Sequence, residues 1–177
     1  LAKVQINIME QGEVLNRLML NDVKESISKA MVDLRDIAKS LNSERITQNS
    51  LVEITNHELQ RVNRLGILKS FLIVEGKEEN LKEQKKLIVF RILQESLQNI
   101  LKHAKATKIE VFFTFSTDHL KLEIVDDGVG FDKEKASENQ GLGLRNIISR
   151  AALIGGQGSI NSIINQGTTV TIFLPYV

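Results

Sequence analysis

Cysteine is absent from this sequence, which excludes disulfides, thiolate catalysis and cysteine-based zinc sites. Also missing is any apolar run of the ~18 residues that a membrane-spanning helix needs. No signal-peptide pattern stands at the start, where Leu1 to Val4 opens directly on an amphipathic stretch. There is no charge excess of either sign: 23 Lys and Arg against 22 Asp and Glu leave a formal net charge of +1. Binding to nucleic acid through bulk electrostatics is therefore not expected. Internal repeats and low-complexity segments are lacking too. What is present, 42% hydrophobic and 25% charged residues over 177 positions, suits a globular domain with a helical appendage. The expectation is a compact cytoplasmic domain or a fragment of something larger.

The first 42 residues carry apolar heptads: Leu20, Ile27, Leu34 and Leu41 along one seam, with Val23, Ala30 and Ile37 along the other. Leu1, Val4, Ile8, Leu15 and Leu18 follow the same rule, with Gln11 the polar exception. Asn21 and Asp22 can cap a second helix, so residues 1–45 read as a helical hairpin. Two helices alone cannot bury a two-sided stripe. The expected outcome is self-association into a four-helix bundle, the alternative being packing onto the rest of the chain.

Residues 46–177 read as a second domain. Ser50 with Glu53 forms a capping box for a helix running to Leu65, and Ile67 to Val74 reads as a strand. Leu81 to Ala104 reads as one long helix with a broad apolar face. Lys108 to Phe115 and Leu120 to Val125 alternate as a hairpin. Leu142 to Ile154 is helical, and Ser159 to Ile164 and Thr168 to Leu174 make a second hairpin. The expected class is α+β: a two-layer sandwich of about five strands covered by helices on one face.

Three local patterns bear chemistry. Glu95 and Asn99 stand four apart on the long helix, with His103 continuing the row. A carboxylate and an amide oxygen so placed can hold Mg²⁺, although the same pattern also fits a solvated polar face. Asp126, Asp127, Gly128, Val129 and Gly130 follow a strand directly, giving a carboxylate able to accept from an exocyclic amine and glycines that admit close approach. Alone, that run is equally a turn. Gly141, Leu142, Gly143 and Leu144 open a helix, where unpaired N–H groups suit phosphate oxygens. This is no P-loop, and Asn146 replaces the third glycine of the dinucleotide fingerprint. The polar stretch Asp132 to Gln140 before it reads as a mobile lid.

In this order the patterns resemble the nucleotide site shared by gyrase, Hsp90, histidine kinases and MutL, a Bergerat ATP-binding fold. They correspond to its N box around Asn99, its G1 box at Asp126 to Gly130 and its G2 box at Gly141 to Gly143. The run Arg91 to Ala104, the run Gly141 to Arg150, and Gly167 to Pro175 are most similar to sensor histidine kinases whose response regulators carry LuxR-type DNA-binding domains. The resemblance covers roughly Leu20 to Val177 and is strongest from Arg91 onward.

The resemblance implies a cytoplasmic, ATP- and Mg²⁺-dependent protein-histidine kinase region, dimeric through its first helices, with a response regulator as partner. It implies no direct contact with nucleic acid and none with membrane by this chain, and leaves open an anchor in a parent protein. By it, Asn99 coordinates Mg²⁺, and Glu95 shares that role and positions or deprotonates the attacking group. Lys102 and His103 lie near phosphate and ribose. Asp126 reads the adenine amine, Gly128 and Gly130 give the base room, and Gly141, Leu142, Gly143 and Leu144 face the phosphates. Thr168 and Thr169 join the hydrogen bonding around adenine. The subfamily's phosphoaccepting histidine sits in a His-Asp pair that this sequence lacks, so it is expected roughly two to three turns upstream of Leu1. His57 stands only 42 residues before Asn99, too close to serve as that acceptor. Two other readings are an ATPase in which Glu95 activates water, and a dimerisation module without catalysis.

Overall fold

A computed structural model describes residues 46, 48–132 and 142–176. The expected N-terminal hairpin, Gly141 and nearly all of the expected lid lie outside the described residues.

The described chain is an α+β sandwich with a five-stranded sheet in the order β1-β2-β3-β5-β4. Helix α1 spans Leu51–Arg64 and strand β1 Lys69–Glu75. Helix α2 spans Glu83–Asn99 and runs into a π-helical turn at Ile100–Ala104. Strands β2 (Lys108–Phe115) and β3 (His119–Asp126) follow, then helix α3 (Leu142–Leu153), β4 (Gln157–Ile163) and β5 (Gly167–Pro175). β1 and β2 pair in parallel, and every other pairing is antiparallel.

Alternation decides which way each strand faces. On β2, Ile109, Val111 and Phe113 are fully buried, and on β3 Leu120, Leu122 and Ile124 take the matching places. β5 adds Val170, Ile172 and Leu174. Against this sheet face lie Val89, Ile92, Leu93 and Leu97 of α2 and Ile147 and Ala151 of α3. Each large aliphatic side chain so buried stabilises the fold by about 1.5–3 kcal/mol before entropy is counted. The opposite sheet face carries charges, with Lys108 beside Glu110 and Lys121 beside Glu123.

The expected capping box of α1 forms: Ser50 Oγ accepts from the Glu53 N–H at 3.0 Å, and the Glu53 carboxylate accepts from the Ser50 N–H at 3.0 Å. A second cap comes from afar. The Glu78 carboxylate accepts from the N–H groups of Leu51 and Val52, satisfying donors that a helix start leaves unpaired.

The one long helix expected from Leu81 to Ala104 is instead an α-helix followed by a π-helical turn, which Lys105 ends in the left-handed region at φ 51°. The physical reason lies across the chain. The Ala104 carbonyl accepts from the Val129 N–H at 2.8 Å, a bond the wider turn accommodates.

Candidate functional site

The helix-covered face of the sheet encloses a cavity of about 440 Å³, within the size range of small-ligand sites. Ser96, Asn99, Ile100 and His103 line it from the helix and its π-turn. Asp126, Gly130 and Phe131 line it from the end of β3, Gly143, Leu144 and Ile147 from α3, and Thr168 and Val170 from β5. Most of the wall is apolar, with a few convergent polar groups, as is usual for small-molecule sites.

Asp126 supplies the buried charge. Its side chain is 4% exposed, and its Oδ1 accepts from the Gly128 N–H at 2.8 Å. Burial pushes its carboxyl above the ordinary 3.8, the N–H groups of Gly128 and Thr168 pull it part of the way back, and the neighbouring Asp127 pushes it up again. Asp127 behaves differently. Burial raises it too, but the Thr107 hydroxyl and the N–H groups of Lys108 and Thr107 together outweigh that and hold it below the ordinary value. The Thr107 and Lys108 N–H groups each donate to its Oδ1 at 2.8 Å, and the Thr107 hydroxyl to its Oδ2 at 2.6 Å. Two adjacent aspartates thus divide the work: Asp126 faces the cavity, while Asp127 ties the start of β2 to the end of β3.

The glycines between them are placed by close approach. A Cβ on Gly128 would stand 2.3 Å from the Ala104 carbonyl oxygen, so Gly128 serves the contact with the π-turn and is not among the cavity-lining residues. The same Cβ would also stand 2.7 Å from Asp126 Oδ1, so the glycine keeps the space beside that carboxylate open. Gly130 does line the cavity, at φ +58°, with its Cβ position 2.1 Å from the Ile163 carbonyl oxygen.

Gly143 brings the other end of the site together. A Cβ there would lie 2.5 Å from Glu95 Oε1 and 3.3 Å from both amide atoms of Asn99. Asn99 Nδ2 is buried with no hydrogen-bond partner among the described residues. Such an orphan normally costs stability, which marks it as a group awaiting a ligand. Turning the amide over would present its oxygen instead. Glu95 adds a carboxylate beside it, with Arg150 Nη1 at 3.9 Å from Oε2.

Of the sequence-predicted residues, Asn99, His103, Asp126, Gly130, Gly143, Leu144 and Thr168 meet at the cavity, and Glu95 abuts it through Gly143. Leu142 opens α3. Lys102 and Thr169 are not among the lining residues. Lys102 is exposed on the π-turn, and Thr169 occupies the alternate register of β5, between Thr168 and Val170. Sequence reasoning missed the apolar walls Ile124 and Val170, two residues from Asp126 and Thr168 on their strands, which period-two counting could have found. Arg150 left no comparable signal.

Residues 84–177 match the family described as histidine kinase-, DNA gyrase B-, and HSP90-like ATPase. Over 98% of its length the chain is 32% identical to a sensor-like histidine kinase of Chloroflexus aurantiacus, covering 32% of that protein. It is 29% identical, again over 98%, to the signal transduction histidine-protein kinase/phosphatase DegS of Brevibacillus brevis, covering 48% of it. Half of the chain is 39% identical to a quarter of the oxygen sensor histidine kinase NreB of Staphylococcus carnosus. The chain thus spans between 25% and 48% of the length of these relatives. Among solved structures, the histidine kinase domain of the Erythrobacter litoralis EL346 blue-light activated kinase superposes with a TM-score of 0.59 at 20% identity, over 72% of this chain and 61% of that one. The ATP-binding domain of PrrB from Mycobacterium tuberculosis gives 0.59 at 19%, over 73% and 96%. These two likenesses are of fold.

Proposed function

The chain belongs to the histidine kinase-, DNA gyrase B- and HSP90-like ATPase family, and from that premise we propose that it is the ATP-binding catalytic region of a two-component sensor histidine kinase. It transfers the γ-phosphoryl group of ATP to a histidine on a dimerisation helix, for relay to an aspartate of a response regulator. The observation that carries this reading is the cavity that joins buried Asp126 to the unpartnered amide of Asn99.

In this reading the adenine lies between the apolar walls Ile124, Ile147 and Val170, with its amine donating to the Asp126 carboxylate. Gly130 leaves room beside it. The phosphates run toward Gly143 and Leu144, Asn99 and Glu95, with His103 at the rim and Lys102 close by, while Gly141 and Leu142 continue the phosphate-facing segment. Thr168 orders the base end, and Thr169 is kept as an outer neighbour.

Asn99 and Glu95 fit a divalent ion. Their oxygens are hard donors, and among the described residues no cluster of three or more His, Asp or Glu provides an all-protein cage. Mg²⁺ is suited to such a sparse site because it shares its coordination with phosphates and water. Bound there, it would neutralise phosphate charge. Glu95 orients the incoming imidazole and takes its N–H proton. The nitrogen then forms the new bond to phosphorus as the bond to the bridging oxygen breaks and ADP leaves.

The N-terminal heptads support a homodimer, the likeness to the histidine kinases DegS and NreB supports a response regulator as partner, and the runs Arg91 to Ala104 and Gly141 to Arg150 favour one of the LuxR-type class. No described helix is long and apolar enough to cross a membrane, in keeping with a cytoplasmic catalytic region. The test supplies labelled ATP and a polypeptide carrying the histidine-bearing helix. Acid-labile, base-stable label on that helix is the expected result. Phosphate release with no label on the helix would replace the kinase by an ATPase in which Glu95 activates water.

Asp126→Asn separates binding from folding. Because the folded carboxyl sits above its unfolded value, the ionised group costs stability as pH rises from the unfolded pKa through the folded one, and the full cost is present above both. Asparagine keeps an oxygen for the Gly128 N–H but carries no charge. The variant is expected to melt no lower than the wild type at pH 7 while ATP affinity falls about 10-fold or more. Paired melting and nucleotide titrations check both halves.

A further inference from the structure

Ser162 does not line the cavity, yet its hydroxyl touches two residues that do. On β4 it pairs with Thr168 of β5, which in turn pairs with Asp126 of β3. Directly paired residues of neighbouring antiparallel strands project from the same sheet face. Ser162, Thr168 and Asp126 therefore stand in one row across three strands, ending at the buried carboxylate.

The Phe131 N–H donates to Ser162 Oγ at 2.9 Å. Ser162 Oγ lies 3.2 Å from the Gly167 carbonyl oxygen and 2.9 Å from Thr168 Oγ1. A hydroxyl has one proton and two lone pairs. All three contacts are made together in one arrangement only: Ser162 donates to Gly167, accepts from Phe131, and accepts from the Thr168 hydroxyl. The Thr168 proton is then committed away from the cavity. What Thr168 offers inward is a lone pair, alongside the acceptor oxygen of Asp126.

We propose that Ser162 is a positioning residue that fixes the Phe131 and Thr168 walls and makes the inner end of the cavity an acceptor pair, selecting a nucleobase with an exocyclic amine over its oxo counterpart. The inference rests on the reading that this cavity takes a purine nucleoside triphosphate.

The test titrates the chain with ATP and with inosine triphosphate, which carries an oxo group in place of the amine, and records melting temperatures alongside. Ser162→Ala frees the Thr168 proton to point inward. Its ATP affinity is expected to fall about 10-fold, the worth of one to two hydrogen bonds, and its preference for ATP over inosine triphosphate to shrink. Ser162→Thr, which keeps the hydroxyl, is expected to restore both. Thr168→Val should lower the preference by itself and add little on top of Ser162→Ala, because both act through the same bond. Should Ser162→Ala fold poorly, the Thr168→Val preference alone decides. An unchanged preference in the folded variants, or fully additive losses, would overturn the proposal. If the wild type binds neither triphosphate, the functional reading itself fails; if it binds ATP and Ser162→Ala matches it for both ligands, only this inference does.

Discussion

Asn99→Ala is expected to lower ATP affinity about 100-fold and to abolish phosphoryl transfer, without lowering the melting temperature. The two halves have one cause. Asn99 Nδ2 is buried beside Gly143 and Glu95 with no partner among the described residues, so this nitrogen contributes little that the fold would miss. Alanine removes an unsatisfied polar group, and that relief offsets the lost packing. With nucleotide bound, the same amide gains a charged partner, which makes its loss expensive. A fluorescent-ATP titration in Mg²⁺ beside a thermal melt measures both. Wild-type binding by Asn99→Ala would remove the nucleotide reading altogether.

Gly167→Ala should be the most damaging single-methyl change to the fold. Gly167 sits at φ +87°, and a Cβ there would stand 1.9 Å from the Asp126 carbonyl oxygen and 2.8 Å from its carbon. Both obstacles are backbone and cannot swing aside. The left-handed backbone costs about 1–2 kcal/mol for alanine and the collision about 1–3 kcal/mol more. That corresponds to a melting temperature lower by about 10 °C. Gly66 and Gly155 supply the controls. They have φ +69° and +76° with nothing within 4 Å of the added carbon, so alanine there should show the backbone cost alone. If all three variants melt together, the collision with Asp126 carries no weight.

Much of this site could be read before any coordinates because its parts are local. A capping box, strands of period two, and glycines placed after a strand or before a helix are patterns over a few neighbours. Ser50 with Glu53, and β2 with its fully alternating burial, came out as expected. What escaped depends on residues far apart in sequence. Nothing near Ala104 announces that its carbonyl will bond Val129, and so the π-turn and the exposed place of Lys102 were hidden. Glu78 reaches back 26 and 27 residues to cap α1, and Ser162 reaches Phe131 across 31. Thr169 is a different case. The alternation of β5 forces Thr168 and Thr169 to opposite faces, but the face holding the cavity is known only once Asp126 and Thr168 are seen to pair.

The π-turn has a consequence for how this segment tolerates change. A wide turn holds one residue more than an α-helix would over the same rise. Residues 100–104 therefore act as a spacer of fixed count, matching the end of α2 to the loop that carries Gly128 and Val129. Lys102, exposed and outside the cavity wall, is open to substitution. Adding or removing a single residue is another matter. It would rotate the Ala104 carbonyl by about 100° away from Val129, and the acidic loop would lose its seat. In this stretch the length of the chain is under tighter constraint than its letters.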